Sequence, residues 1–215
     1  LTSCHAHNER DKAARIVARM LEENIDVALV TDAGTPAISD PGTALVAAAC
    51  EAGIEVVAVA GPSAMAAALS VSGFDVPEFT FCGFLPRNVG ELREKLLDIA
   101  DRTDCCVLHE SPYRVIALMR AVRDTLPGAR ASVSCDLTKL HEKTIRGSAE
   151  DVLTALEGNE KTEKGEYCIV LDLRGVQKRE KAPPASASLE ARLFDLMLSG
   201  ADARAAMDAL IAQGE

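Results

Sequence analysis

Tryptophan is absent from the 215-residue chain, and aromatic residues make up only 3% of it. Modules that hold single-stranded nucleic acid stack successive bases on several aromatic rings, so that class does not fit. No apolar run reaches the length of a bilayer span and no secretory leader is legible, which predicts a protein that neither crosses a membrane nor enters one. C-x-x-C pairs are missing too. The seven cysteines are odd in number and scattered, with Cys105 and Cys106 adjacent in an apolar run. That usage predicts reduced, buried thiols in a cytoplasmic protein and excludes a disulfide framework. Positive charge is in deficit, with 23 Lys and Arg against 33 Asp and Glu. Residues 1–78 hold 4 basic and 11 acidic groups, residues 79–175 hold 14 and 16, and residues 176–215 hold 5 and 6. A bulk basic face for nucleic acid is thereby excluded, and a local basic patch has room only in the middle segment. Neither G-x-x-x-x-G-K-[ST] nor G-x-G-x-x-G occurs, so the two common phosphate-binding glycine loops are excluded.

Hydrophobic residues, at 48%, are plentiful enough for a globular α/β chain. Apolar periodicity predicts a helix over 9–22 with Asn8 as N-cap, then a buried strand Val27–Thr31. A helix over 43–52, a strand 54–60 and a helix over 64–71 follow. Strands alternating with helices imply a parallel sheet covered on both faces. The boundary falls in the Pro- and Gly-flanked strand of residues 74–90. Domains are therefore expected at 1–78 and 79–175, the second with helix 91–100, strand 105–110, helix 113–126 capped by Ser111, strands 130–135 and 141–147, helix 149–157 and strand 166–173 in a mixed sheet. Ser148 to Asp151 resembles a short capping box. A Pro- and Ala/Ser-rich linker, 176–188, leads to a helical hairpin over 189–215.

Chemistry-bearing residues gather where strands end. "DAGTPAISDPG" (Asp32–Gly42) follows the first strand and "GPSA" (Gly61–Ala64) the second. Ligands of open α/β sheets bind at strand carboxyl ends. A plain crossover loop is the alternative. With no Lys or Arg in either loop and Asp32 at the strand end, phosphate is a poor fit. Asp32 and Asp40 with no histidine nearby make a weak Mg²⁺ site at best, so no metal is expected. A ligand with hydroxyls or a positive charge suits these carboxylates better. His5 and His7 lack the companion ligands zinc needs. "HESPYR" (His109–Arg114) places Glu110 and Arg114 around a strand-to-helix turn, "DLTKLHEKTIRG" (Asp136–Gly147) concentrates Lys139, His141, Lys143 and Arg146, and "GFLPRN" adds Arg87. The second stretch reads either as a solvated edge strand or as a basic patch for an anionic substrate.

Taken together and in order, "DAGTPAISDPG", "GPSA", "GFLPR", "ESPYR", "LTKLHE" and "KGEY" resemble the tetrapyrrole (corrin/porphyrin) methylase superfamily, over about residues 5–173. Within it they resemble the branch that 2′-O-methylates a cytidine of small-subunit ribosomal RNA at the decoding site. The resemblance implies two α/β domains with S-adenosylmethionine in the cleft between them, in a homodimer. It implies a cofactor pocket of Asp32, Ala33, Gly34, Thr35, Pro36, Ser63, Ala64, Leu85 and Thr138. Candidate bases are Glu110, Lys139 and His141, and candidate RNA contacts are Arg87, Arg114, Lys139 and Arg146. The acidic surface favours an assembled ribosomal particle over naked RNA. The other readings are a methylase of a tetrapyrrole acceptor and a catalytically silent binding module for an adenosyl ligand. The superfamily pattern also carries a strand, a loop and a helix–strand unit ahead of the "CHAHNE" stretch. Their absence from this sequence predicts a gap in the first sheet and an incomplete pocket.

Overall fold

A computed structural model describes residue 2 and residues 8–179, 189–198 and 202–212. The chain divides into a compact unit over Leu1–Lys178 and a second over Arg179–Glu215. The His5/His7 stretch and residues 180–188 of the predicted linker lie outside the described residues.

In the first unit the best-formed part is a mixed sheet. Its strands are β1 (Thr80–Gly83), β2 (Cys105–Glu110), β3 (Arg130–Cys135), β4 (Lys143–Ser148) and β5 (Tyr167–Asp172), in the order β1-β2-β5-β3-β4. Only β1 and β2 run parallel; the other pairs are antiparallel. β2 and β5 lie inside the sheet and are apolar almost throughout, as strands covered on both faces must be. One face packs on α4 (Val89–Arg102), α5 (Val115–Thr125) and α6 (Ala149–Glu157) through Leu96, Leu118, Met119, Leu153 and Ile169. The other face takes α3 (Ala64–Ser72), whose Ala68 meets Cys105, Val107, Cys168 and Val170. The alternation of Cys105 and Cys106 between these two cores follows from the two-residue period of a strand.

α1 (Glu9–Glu23) and α2 (Thr43–Glu51) form a smaller core of Ala13, Val17, Leu45 and Ala49, with Leu29 and Ile54 packed against it. Here the structure corrects the sequence reading. The segments 27–31 and 54–60, expected as buried parallel strands, are unpaired, and Val30, Val57 and Val59 are 73%, 72% and 89% exposed. A strand exists only through a neighbour that takes its N–H and C=O groups, and among the described residues neither segment has one.

Smaller corrections concern caps. α4 begins at Val89, earlier than expected, because the Asn88 carboxamide accepts from the amides of Gly90 and Glu91. The fifth helix starts at Val115 rather than 113. Ser111 contributes its carbonyl, not its hydroxyl, to the amides of Arg114 and Val115. Asn8 makes no side-chain cap to α1. The capping box at Ser148 and Asp151 is fully formed. In the second unit α7 (Leu189–Leu198) and α8 (Ala203–Ala212) pack together, the latter capped by the Asp202 carboxylate.

Candidate functional site

The loop after Thr31 is fastened at several points. Thr35 Oγ1 donates to the carbonyl of Pro62 at 3.1 Å, which ties the two Gly/Pro loops together. The Glu9 carboxylate of α1 accepts from the amides of Gly42 and Ala44 at 2.8 and 2.7 Å, anchoring the loop's far end at the start of α2. Gly34 sits at φ +76°, a left-handed conformation open to glycine, and a Cβ there would meet nothing within 4 Å. Its backbone therefore faces open space. Ser63 caps α3 through the amide of Ala66.

Opposite these loops stand the ends of β1, β2 and β5. Glu110 is buried; its Oε1 takes the Ser111 amide at 2.7 Å and its Oε2 lies 3.3 Å from Arg114 Nη2. The same Arg114 nitrogen donates to the carbonyls of Leu85 and Pro86. Glu110 and Arg114 thus clamp the "ESPYR" turn onto "GFLP". His109 stands beside them, its ring edge-on to Phe81 and Phe84.

The two walls enclose a cleft of about 470 Å³. It is lined by Asp32, Ala33, Gly34, Thr35, Ser63, Ala64 and Glu110 of the predicted set, and also by Asp40, Phe84, His109, Leu137, Glu166 and Tyr167. No Lys or Arg lines it among the described residues. Carboxylates, hydroxyls and open backbone suit an ammonium and ribose hydroxyls, and they disfavour phosphate. Among the described residues no cluster of His, Cys, Asp and Glu could hold a metal.

Other predicted residues lie elsewhere. Pro36 and Thr138 are not in the lining, and Leu85 is 4% exposed within the larger core. Thr138, at φ +67°, offers its amide to Glu142. Lys139 is paired with Glu166 at 2.8 Å and Asp136 at 3.7 Å, contacts that raise its pKa and keep it protonated. His141 and Arg87 are exposed and outside the cleft. Arg146 donates Nε and Nη2 to the carbonyl of Val71 at the end of α3, a helix-terminus contact. In sequence Asp40 stands with Asp32 as a carboxylate for a hydroxyl-bearing or cationic ligand, whereas His109 and Glu166 are not singled out by their sequence. His109 is the one with a legible signal, since it precedes Glu110 at a strand's carboxyl end.

The tetrapyrrole (corrin/porphyrin) methylases family profile matches residues 2–153. The chain belongs to this family. Among curated relatives, the chain is 40% identical over 172 residues to "Ribosomal RNA small subunit methyltransferase I" of Xylella fastidiosa, covering 80% of this chain and 63% of the relative. It is 40% identical over 169 residues to the protein of the same name from Vibrio cholerae, covering 78% and 58%. With the one from Pseudomonas aeruginosa it shares 37% over 203 residues, covering 93% and 70%. The chain thus spans about 60% of the length of the first two. Among solved structures, the methyltransferase CobJ superposes with a TM-score of 0.56 at 18% identity, over 80% of this chain and 74% of that one. A uroporphyrin-III C-methyltransferase from Thermus thermophilus complexed with S-adenosylhomocysteine gives 0.51 at 15%, over 76% and 73%. These two likenesses establish the fold.

Proposed function

We propose that the protein is an S-adenosylmethionine-dependent methyltransferase that 2′-O-methylates a cytidine of small-subunit ribosomal RNA, presented in an assembled particle, and that it works as a cytoplasmic homodimer. The observation that carries the cofactor assignment is the cleft: two tied loops with Asp32, Thr35 and Ser63, open backbone at Gly34, and no Lys or Arg in the lining among the described residues. The acceptor follows from the curated relatives, which bear the name of a ribosomal RNA small-subunit methyltransferase.

Asp32, Asp40 and the hydroxyls of Thr35 and Ser63 would hold the cofactor, which supplies an activated methyl group when bound. The donor set fits its ammonium and ribose hydroxyls. Alignment of acceptor and methyl is the protein's main contribution, since the sulfonium is a good leaving group in any setting. Glu110 acts as a positioning residue that fixes the turn through Ser111 and Arg114. Lys139, held cationic, and the exposed Arg87 and Lys143 stand for the RNA-facing charge; Arg146 is occupied by Val71.

Calorimetry with S-adenosylhomocysteine tests the cofactor site. Binding by the parent chain and a loss of tenfold or more in Asp32→Ala are expected. No heat with the parent chain would overturn the cofactor assignment.

A further inference from the structure

His109 is the penultimate residue of β2, opposite Cys168 of β5. Its imidazole is gripped edge-on by Phe81 at 5.1 Å and Phe84 at 5.8 Å and lines the cleft. Its Nε2 is shielded from solvent and has no hydrogen-bond partner. Buried polar atoms nearly always have partners, and an unpaired one in a cleft points to a ligand that supplies the partner. Burial lowers the imidazole pKa below its ordinary value, against the opposing pull of Asp40 from the loop and Glu166 from the approach to β5. The ring is therefore neutral at neutral pH and free to accept a proton.

The neighbouring candidates are committed elsewhere. Glu110 Oε1 takes the Ser111 amide, and its Oε2, which accepts no hydrogen bond, stands 3.3 Å from the Arg114 guanidinium, an ion pair that holds the carboxylate charged and weakens it as a base. Tyr167 gives its hydroxyl to the Thr162 carbonyl, and its pKa is pushed up by burial. Burial likewise pushes the Cys168 thiol up to about 12. Lys139 is protonated and ion-paired.

We infer that His109 is the catalytic base of the site, its Nε2 receiving a hydrogen bond from the acceptor hydroxyl and then its proton. The inference rests on the methyltransferase reading above. In the step, the O–H bond gives its proton to Nε2 and the oxygen's electron pair forms the O–CH₃ bond. The methyl–sulfur bond breaks with its pair returning to sulfur, and the imidazolium afterwards passes its proton to water. Asp40 and Glu166 favour the transient imidazolium. Phe81 and Phe84 fix the ring plane.

The test compares the parent chain with His109→Gln and His109→Phe. S-adenosylhomocysteine affinity, measured by calorimetry, is expected to change less than threefold. The kcat for methylation of small ribosomal subunits is expected to fall by about 100-fold. The parent's kcat should rise with pH through one imidazole titration, and this limb should vanish in His109→Gln. Independently of turnover, the ¹⁵N resonances of the His109 ring should move when a cytidine-containing oligoribonucleotide is added to the chain saturated with S-adenosylhomocysteine. A His109→Gln variant within threefold of the parent kcat, or with the same acid limb, overturns the inference. Ring resonances that stay unmoved while other resonances of the chain report bound oligoribonucleotide overturn it as well. Failure of the parent chain to bind S-adenosylhomocysteine overturns the methyltransferase reading itself, which separates the two failures.

Discussion

Asp172 illustrates what one side chain contributes. It is 5% exposed, accepts from Arg174 Nε and Nη2 at 2.9 and 2.7 Å, and also takes the Arg174 amide. Arg174 spends a further donor on the Asp75 carbonyl, so the pair ties the end of β5 to the loop after α3. The Arg174 hydrogen bonds hold the Asp172 pKa below its ordinary value. Because the folded value is the lower one, the stabilisation is present above the unfolded carboxylate's pKa of about 4 and is lost as pH falls through the folded value. Arg174 is half exposed, which discounts the gain to about 1–2 kcal/mol. Asp172→Asn should lower stability by that amount at pH 7 in urea unfolding and flatten the loss of stability on acidification. Gly128 is the other sensitive single position. It lies at φ +91°, and a Cβ there would collide with the Gly175 carbonyl. Neither backbone can yield cheaply, so Gly128→Ala is expected to cost about 2–4 kcal/mol, read from the denaturation midpoint.

Among the elements, α6 carries the clearest local logic. Ser148 Oγ accepts from the Asp151 amide at 3.1 Å and the Asp151 carboxylate returns a bond to Ser148. Ser148→Ala should cost about 1 kcal/mol in equilibrium unfolding. Leu118 of α5 is 1% exposed in the larger core, and Leu118→Ala should cost about 2–5 kcal/mol. The second half of the fold was legible because each element carries its own signal. β2 and β5 are short apolar runs, α6 has its capping box, and β3 has clear limits. The first half was legible only as pattern. "VALVT" and "IEVVAVA" read as buried strands, since composition records what a segment would bury and not whether a neighbour is there to pair with it. Of the site, the two Gly/Pro loops and Glu110 could be placed from strand ends alone. Arg146, read as a nucleic-acid contact, donates to the Val71 carbonyl at the end of α3, a bond its sequence does not announce, because a guanidinium looks the same whether it meets a phosphate or a helix carbonyl. His109 required the sheet register and the flanking rings to be noticed.

At the scale of the whole molecule, the chain is acidic, with net charge −10, and among the described residues no Lys or Arg lines the cleft. The open edges at 27–31 and 54–60 leave valines in water, and such edges invite pairing with another chain. Val59→Lys, at a site 89% exposed, should leave the unfolding midpoint within about 0.5 kcal/mol and reduce self-association in sedimentation velocity. Among the described residues no helix is long and apolar enough to cross a membrane. The most direct measurement of the proposed activity is transfer of a radiolabelled methyl group from S-adenosylmethionine, with small ribosomal subunits and a tetrapyrrole offered as separate acceptors. Label recovered as 2′-O-methylcytidine from the subunit RNA is the expected result. Label in the tetrapyrrole alone, or in neither acceptor while the cofactor binds, would contradict it.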